Sequence, residues 1–361
     1  MSSLSLAMIV KDEEETLARI LADAASFCDE LIVVDTGSTD ASRSLAAAAG
    51  ARIVDFPWID DFAAARNASF EACSSDWIIW LDADDAVPLQ VQEGLRLAKV
   101  NLLNDDLDAV WMPYRYHFSP ETGQCTFSLT RERIIRRAAG LRWNGRVHEV
   151  LNVTEGKTAV RDDLYVEHRP DPAKSVRRVG RNIRILESAV ADGDVSARTL
   201  YYYANELRDN NRFEEALANY KRYMTTPGVD WEAYAGHVSM LQCAARLGLH
   251  DEAVQHGLSA IALDTSRAEA FLAVGDLFFE RREWARAAPL YAAATGAQRP
   301  TTGFVADADY SWRAWDSLSV CLINSGRLKD GITAALRSLD AGNPEVLRVK
   351  SNLRWAIDAL P

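Results

Sequence analysis

The apolar run Trp77-Ile-Ile-Trp-Leu81 ends in Asp82-Ala-Asp84-Asp85, three carboxyls within four positions. Carboxylates that close repel one another unless a divalent cation sits among them, and hard oxygen ligands suit Mg²⁺ or Mn²⁺ carrying a diphosphate. A second acid-tipped run, Val33-Val34-Asp35, passes through Thr36-Gly37-Ser38-Thr39 to Asp40. Asp35 at such a place can accept hydrogen bonds from a base or ribose, and Ser38, Thr39 or Asp40 can cap a following helix. Six arginines (131, 133, 136, 137, 142 and 146) alternate with apolar residues. On a strand that alternation puts one or two beside a phosphate or an acidic acceptor and leaves the rest solvated.

The acids need a frame. Short apolar runs at 6–10, 31–35, 51–56 and 77–81 alternate with helical stretches at 13–27, 40–49 and 62–73. Apolar strands separated by helices make a parallel sheet buried on both faces, with its ligand at the carboxyl ends of the strands. The runs 109–118 and 125–137 flank Ser119-Pro-Glu-Thr-Gly-Gln124, which predicts a hairpin added to that sheet. Beyond Asp192-Gly-Asp194 nearly everything has helical periodicity, and a repeat appears: Phe213-Glu-Glu-Ala216, His250-Asp-Glu-Ala253, Trp284-Ala-Arg-Ala287 and Leu328-Lys-Asp-Gly331. This spacing resembles the tetratricopeptide repeat and predicts a helical-pair solenoid.

The 361 residues carry a net charge of −12, unevenly: residues 1–110 hold 7 Lys/Arg and 21 Asp/Glu. A fold-wide basic footprint for nucleic acid is missing, which leaves room only for a local basic strip, whereas the acidic first third can hold cations. Five widely spaced cysteines without a C-x-x-C pair read as reduced thiols, and the residues predict neither a cleaved signal nor a membrane span, which points to the cytoplasm.

The ordered set Ser5-Leu-Ala-Met-Ile-Val-Lys11-Asp-Glu-Glu14, Val-Val-Asp35-Thr-Gly-Ser-Thr-Asp40, Phe62-Ala-Ala-Ala-Arg66-Asn67 and Trp-Leu-Asp82-Ala-Asp84-Asp85 resembles a family 2 glycosyltransferase. The resemblance continues through Arg133-Ile-Ile-Arg136-Arg137, Trp143-Asn-Gly145-Arg146-Val-His148-Glu149 and Val166-Glu-His168. The pattern is similar to the bacterial subgroup that fuses the transferase to tetratricopeptide repeats and contains bacteriocin S-glycosyltransferases. It implies an α/β, Rossmann-like GT-A domain over residues 1–190 and an all-α repeat domain over 191–361. It also implies a hexosyltransferase-type, inverting reaction that uses Mn²⁺ or Mg²⁺ and a nucleotide diphosphate sugar, a UDP-sugar before a GDP-sugar.

Carried over by position, Asp35, Arg66, Asp82, Val10 and Glu13 would bind the donor, and Asp84, His168 and Asp82 the metal. Glu149 would be the base, with His148 beside it as the other acceptor-side candidate; Glu149 could instead pair only with Arg146. The repeats would recruit a peptide or protein acceptor or join two chains as a homodimer. The alternatives are a saccharide, a lipid-linked glycan or a modified nucleobase in DNA as acceptor, or a repeat scaffold with a degenerate transferase domain. A nucleotidyltransferase would want a Gly-rich, basic loop after the first strand, where Lys11-Asp-Glu-Glu-Glu15 is acidic.

Overall fold

The computed structural model describes residues 2–101, 106–120, 122–153, 156–171, 180–226, 230–300 and 305–360. Its contacts divide the chain into two units, Met1–Gly193 and Asp194–Pro361.

In the first unit β1 (Leu4–Val10), β2 (Glu30–Asp35), β3 (Arg52–Asp55) and β4 (Trp77–Trp80) lie parallel in the order β3-β2-β1-β4. The chain then forms β5 (Asp85–Ala86), the hairpin β6 (Ala109–Phe118) and β7 (Cys125–Arg136), and the separate ribbon β8 (Trp143–Asn144) and β9 (Val150–Leu151). Two short strands follow, β10 (Thr158–Val160) and β11 (Val166–His168). The hairpin joins the sheet through β7 antiparallel to β4, while β11 runs parallel to β6 and antiparallel to β5. The sheet is therefore mixed, and its return strand sets His168 opposite Asp85.

Side chains alternate between two cores because successive residues of a strand face opposite ways. Leu4, Leu6, Met8 and Val10 of β1 join Ile79 on one side, with α1 (Leu17–Ala25), α2 (Ser42–Ala48) and α4 (Leu89–Asn101). Ala7, Ile78 and Trp80 face the other side, where Ala63 and Phe70 of α3 (Phe62–Ala72) and Trp143 pack. Asp61 caps α3 by accepting a hydrogen bond from the Ala64 N–H at 2.9 Å. The helix expected from residue 13 begins at Leu17 instead. Asp12 takes a left-handed φ of 53°, and Glu13 belongs to the turn that follows.

The second unit consists of helical pairs: Ala197–Asp209 with Phe213–Tyr223, Asp230–Arg246 with His250–Leu263, Ala268–Glu280 with Trp284–Ala294, and Arg313–Asn324 with Leu328–Asp340, followed by Val346–Asp358. Each repeated tetrapeptide opens the second helix of its pair, and Ala216, Ala253 and Ala287 are fully buried there. Gly331 holds the same place because a Cβ would meet Ile323 at 2.6 Å. Two residues before each of these helices the chain turns left-handed, at Asn211, Gly248, Arg282 and Gly326. That shared geometry makes the four units structural equivalents although their sequences drift. Among the described residues no helix is long and apolar enough to cross a membrane.

Candidate active site

Every acid of the Asp82-Ala-Asp84-Asp85 segment has a different environment. Asp85 is fully buried and saturated: Oδ2 accepts from the Asp82 N–H at 2.9 Å and from Arg133 Nη1 at 3.2 Å, while Oδ1 accepts from Tyr114 Oη at 2.8 Å. It locks the turn at the end of β4. Asp84 is 5% exposed, and its carboxylate lies 3.6 Å from His168 Nδ1. His168 also stacks on the Tyr116 ring at 4.5 Å and 14°. Burial alone would lower the His168 pKa, but the carboxylates of Asp85, Asp84 and Asp82 outweigh it and raise it above 6.5.

Asp82 belongs to a second group. Arg66, on α3, donates from Nη2 to Asp82 Oδ1 at 2.7 Å and from Nε to Glu149 Oε1 at 2.5 Å. Its guanidinium carbon lies 4.9 Å from the centre of the Trp80 ring and 5.0 Å from that of Trp143. One planar cation thus bridges two carboxylates 67 positions apart in the chain, which suits the forked donors of arginine. Burial pushes the Asp82 carboxyl upward, but Arg66 and Arg133 override it and hold it at about 2.

Asn67, the next residue of α3, fixes the strand that leads to Glu149. Its side chain donates to the Trp143 carbonyl at 3.0 Å and accepts from the Trp143 N–H at 2.9 Å. The Phe62 N–H donates to the Arg146 carbonyl at 2.9 Å, which pins the same loop to the start of α3. Gly145 turns there with φ 97°, a region that favours glycine, and His148 follows with φ 54° and is exposed. Glu149 does not pair with Arg146, which binds Asp192 at 2.9 Å.

At the end of β2, Asp35 accepts from Arg43 Nη1 at 2.8 Å and from the Ser38 N–H at 3.2 Å. Burial opposes ionisation, yet Ser38 and Arg43 leave its pKa below the usual 3.8. The Val10 carbonyl accepts from both the N–H and the hydroxyl of Thr36, at 2.9 and 3.0 Å. The Glu13 N–H donates to Ser42 Oγ at 2.7 Å, and Asp12 Oδ1 accepts from the Thr39 N–H at 2.6 Å. Val10, Glu13 and Asp35 therefore share one laced pair of loops at the carboxyl ends of β1 and β2.

The expected metal set of Asp82, Asp84 and His168 divides here. One ligand atom each of Asp84, Asp85 and His168 lie within 4.8 Å of one another, whereas Asp82 turns to Arg66. A carboxylate with an imidazole is a donor set that fits Mn²⁺. The arginine expectation needs correcting in part: Arg137 and Arg142 are exposed, as expected, but Arg133 of the strand is not on a wet face. Arg133 is fully buried against Trp80 and Tyr114, and Arg136 and Arg137 donate to the carbonyls of Leu107 and Ser75. Tyr114 and Tyr116, and the pairing of Asp85 with Arg133, are not legible in the sequence, since each acts through partners distant in the chain. A cavity of about 190 Å³ lined by Asn67, Phe70, Glu71, Ile78, Arg136 and Arg142 contains none of Asp35, Asp82, Asp84, Asp85 and Glu149.

Residues 5–156 match the family model described as Glycosyl transferase family 2. The chain is 26% identical over 243 residues to the SPbeta prophage-derived glycosyltransferase SunS of Bacillus subtilis, covering 61% of this chain and 54% of that protein. A TPR repeat-containing protein of Synechococcus elongatus is 48% identical over 96 residues, 27% of this chain and 24% of that protein. The chain thus spans between 24% and 54% of the length of these curated relatives. Glucosyl-3-phosphoglycerate synthase from Mycobacterium tuberculosis, solved with Mn²⁺, UDP and phosphoglyceric acid, is 20% identical with a TM-score of 0.37, over 52% of this chain and 78% of that one. The matched residues contain β1 to β4, both acid-tipped segments, Arg66 and Glu149, so the first unit carries a family 2 glycosyltransferase domain.

Proposed function

We propose that the protein is an inverting, metal-dependent glycosyltransferase that moves a sugar from a nucleotide diphosphate sugar to a side chain of a peptide or protein. The observation that carries this reading is the Arg66 bridge, which sets the acid-tipped strand and the Glu149 loop on one cation. The donor's base and ribose occupy the loops after β1 and β2, against Asp35, Val10 and Glu13. Asp82, kept ionised by Arg66, orients the ribose side of the donor.

Asp84 and His168 would hold the cation, and Asp85 fixes the turn that carries Asp84. When bound, the cation supplies positive charge to the departing diphosphate. Glu149 takes the proton of the acceptor hydroxyl or thiol. Its Oε1 is held by Arg66, so Oε2 is the receiving oxygen. The acceptor's oxygen or sulfur bonds to the anomeric carbon from the face opposite the diphosphate, the bond from that carbon to the diphosphate oxygen breaks, and the configuration inverts. His148, exposed beside the base, contacts the acceptor.

The helical pairs favour a polypeptide acceptor, because stacked repeats present an extended concave surface. Five unpaired cysteines accord with a reducing, cytoplasmic setting. A panel of UDP- and GDP-sugars with Mn²⁺, scored for nucleotide release, tests the reading. Release with one donor, raised by a polypeptide acceptor, is expected; no release with any donor would contradict it.

A further inference from the structure

His168 stands on β11 between two strands that each offer it a partner, Tyr114 from β6 and Asp85 from β5. Tyr114 Oη lies 2.8 Å from Asp85 Oδ1 and 2.9 Å from His168 Nδ1. A phenol has one proton, and the direction of the chain follows from counting donors. Asp85 receives the Asp82 N–H and Arg133 Nη1 on its other oxygen, the pattern of an ionised carboxylate, which can only accept. Were Tyr114 to give its proton to His168, its oxygen and Asp85 Oδ1 would face each other as two acceptors in a buried place. That arrangement is costly. The phenol therefore donates to Asp85, and its oxygen accepts from His168 Nδ1–H.

We propose that Tyr114 and Asp85 are positioning residues that hold the proton of neutral His168 on Nδ1 and so leave Nε2 as the one ring nitrogen with a lone pair for a metal. Tyr116, stacked on the imidazole, keeps the ring from rotating out of this arrangement. Outer partners of this kind fix the tautomer and orientation of a ligating histidine and raise its basicity. The assignment rests on the reading of His168 as a metal ligand given above. The proton position itself, however, is a property of the metal-free protein.

Two measurements separate the two claims. Imidazole ¹⁵N shifts of the metal-free protein, taken at a pH well above the ordinary 6.5 and assigned with His168→Gln, should show a protonated Nδ1 and an unprotonated Nε2. The opposite tautomer in the wild type would overturn the proposal without any variant. Tyr114→Phe keeps the ring that packs on Arg133 and removes only the relay. It should lose the Nδ1-protonated preference and weaken Mn²⁺ binding, titrated with the metal alone, by about 10–100-fold. Unchanged shifts and unchanged Mn²⁺ affinity in a folded Tyr114→Phe would also overturn it. Failure of the wild type to bind Mn²⁺ while its ¹⁵N shifts show the assigned tautomer would instead overturn the metal reading and uphold the relay.

Discussion

Glu149→Gln is expected to lower the rate of sugar transfer by about 10²–10⁴-fold, the range that a positioned general base contributes. Glutamine keeps the size of the side chain and can still accept the Arg66 Nε–H, so donor affinity should stay near that of the wild type. The separation is the point of the test: nucleotide binding and steady-state transfer measured on the same preparation should diverge. Full activity in this variant would move the base to His148 or to the acceptor.

Arg66→Met should be costlier to the fold. The guanidinium sits between Trp80 and Trp143 and neutralises Asp82 and Glu149, so removing its charge strands two poorly solvated carboxylates. Breaking such a pair from one side costs about 3–5 kcal/mol, which urea unfolding can resolve. Arg66→Lys should rescue little, because an ammonium cannot span both acids with a planar fork. The penalty should depend on pH in a stated direction. Asp82 is held at about 2 against an ordinary 3.8, so its stabilisation is complete above 3.8 and is lost as pH falls toward and through about 2. The stability gap between wild type and Arg66→Met should narrow across that window, and a gap constant from neutral pH to 2 would contradict the bridge.

The sheet was legible because its signals are local. Leu6-Ala-Met-Ile-Val10 and Trp77-Ile-Ile-Trp80 are apolar on both faces, which only a strand buried from both sides requires. The helical pairs were legible because one small residue recurs where two helices touch, at Ala216, Ala253, Ala287 and Gly331. The division of labour among acids was not. Asp82, Asp84 and Asp85 are alike in sequence, and what separates them is Arg66 from α3, Tyr114 from β6 and His168 from β11. The buried Arg133 shows the same limit. Alternation offers it only a cleft side or solvent, but the Trp80 and Tyr114 rings and the Asp85 carboxylate enclose it.

Under the proposed function, nucleotide binding runs through a cation held by Asp84 and His168. Calorimetric titration of UDP into the protein with Mn²⁺, with chelator, and into Asp84→Ala with Mn²⁺ tests it most directly. Binding in the first case and its loss in the other two, with the variant's fold intact by circular dichroism, is the expected result. Equal UDP affinity in all three would remove the metal from the mechanism.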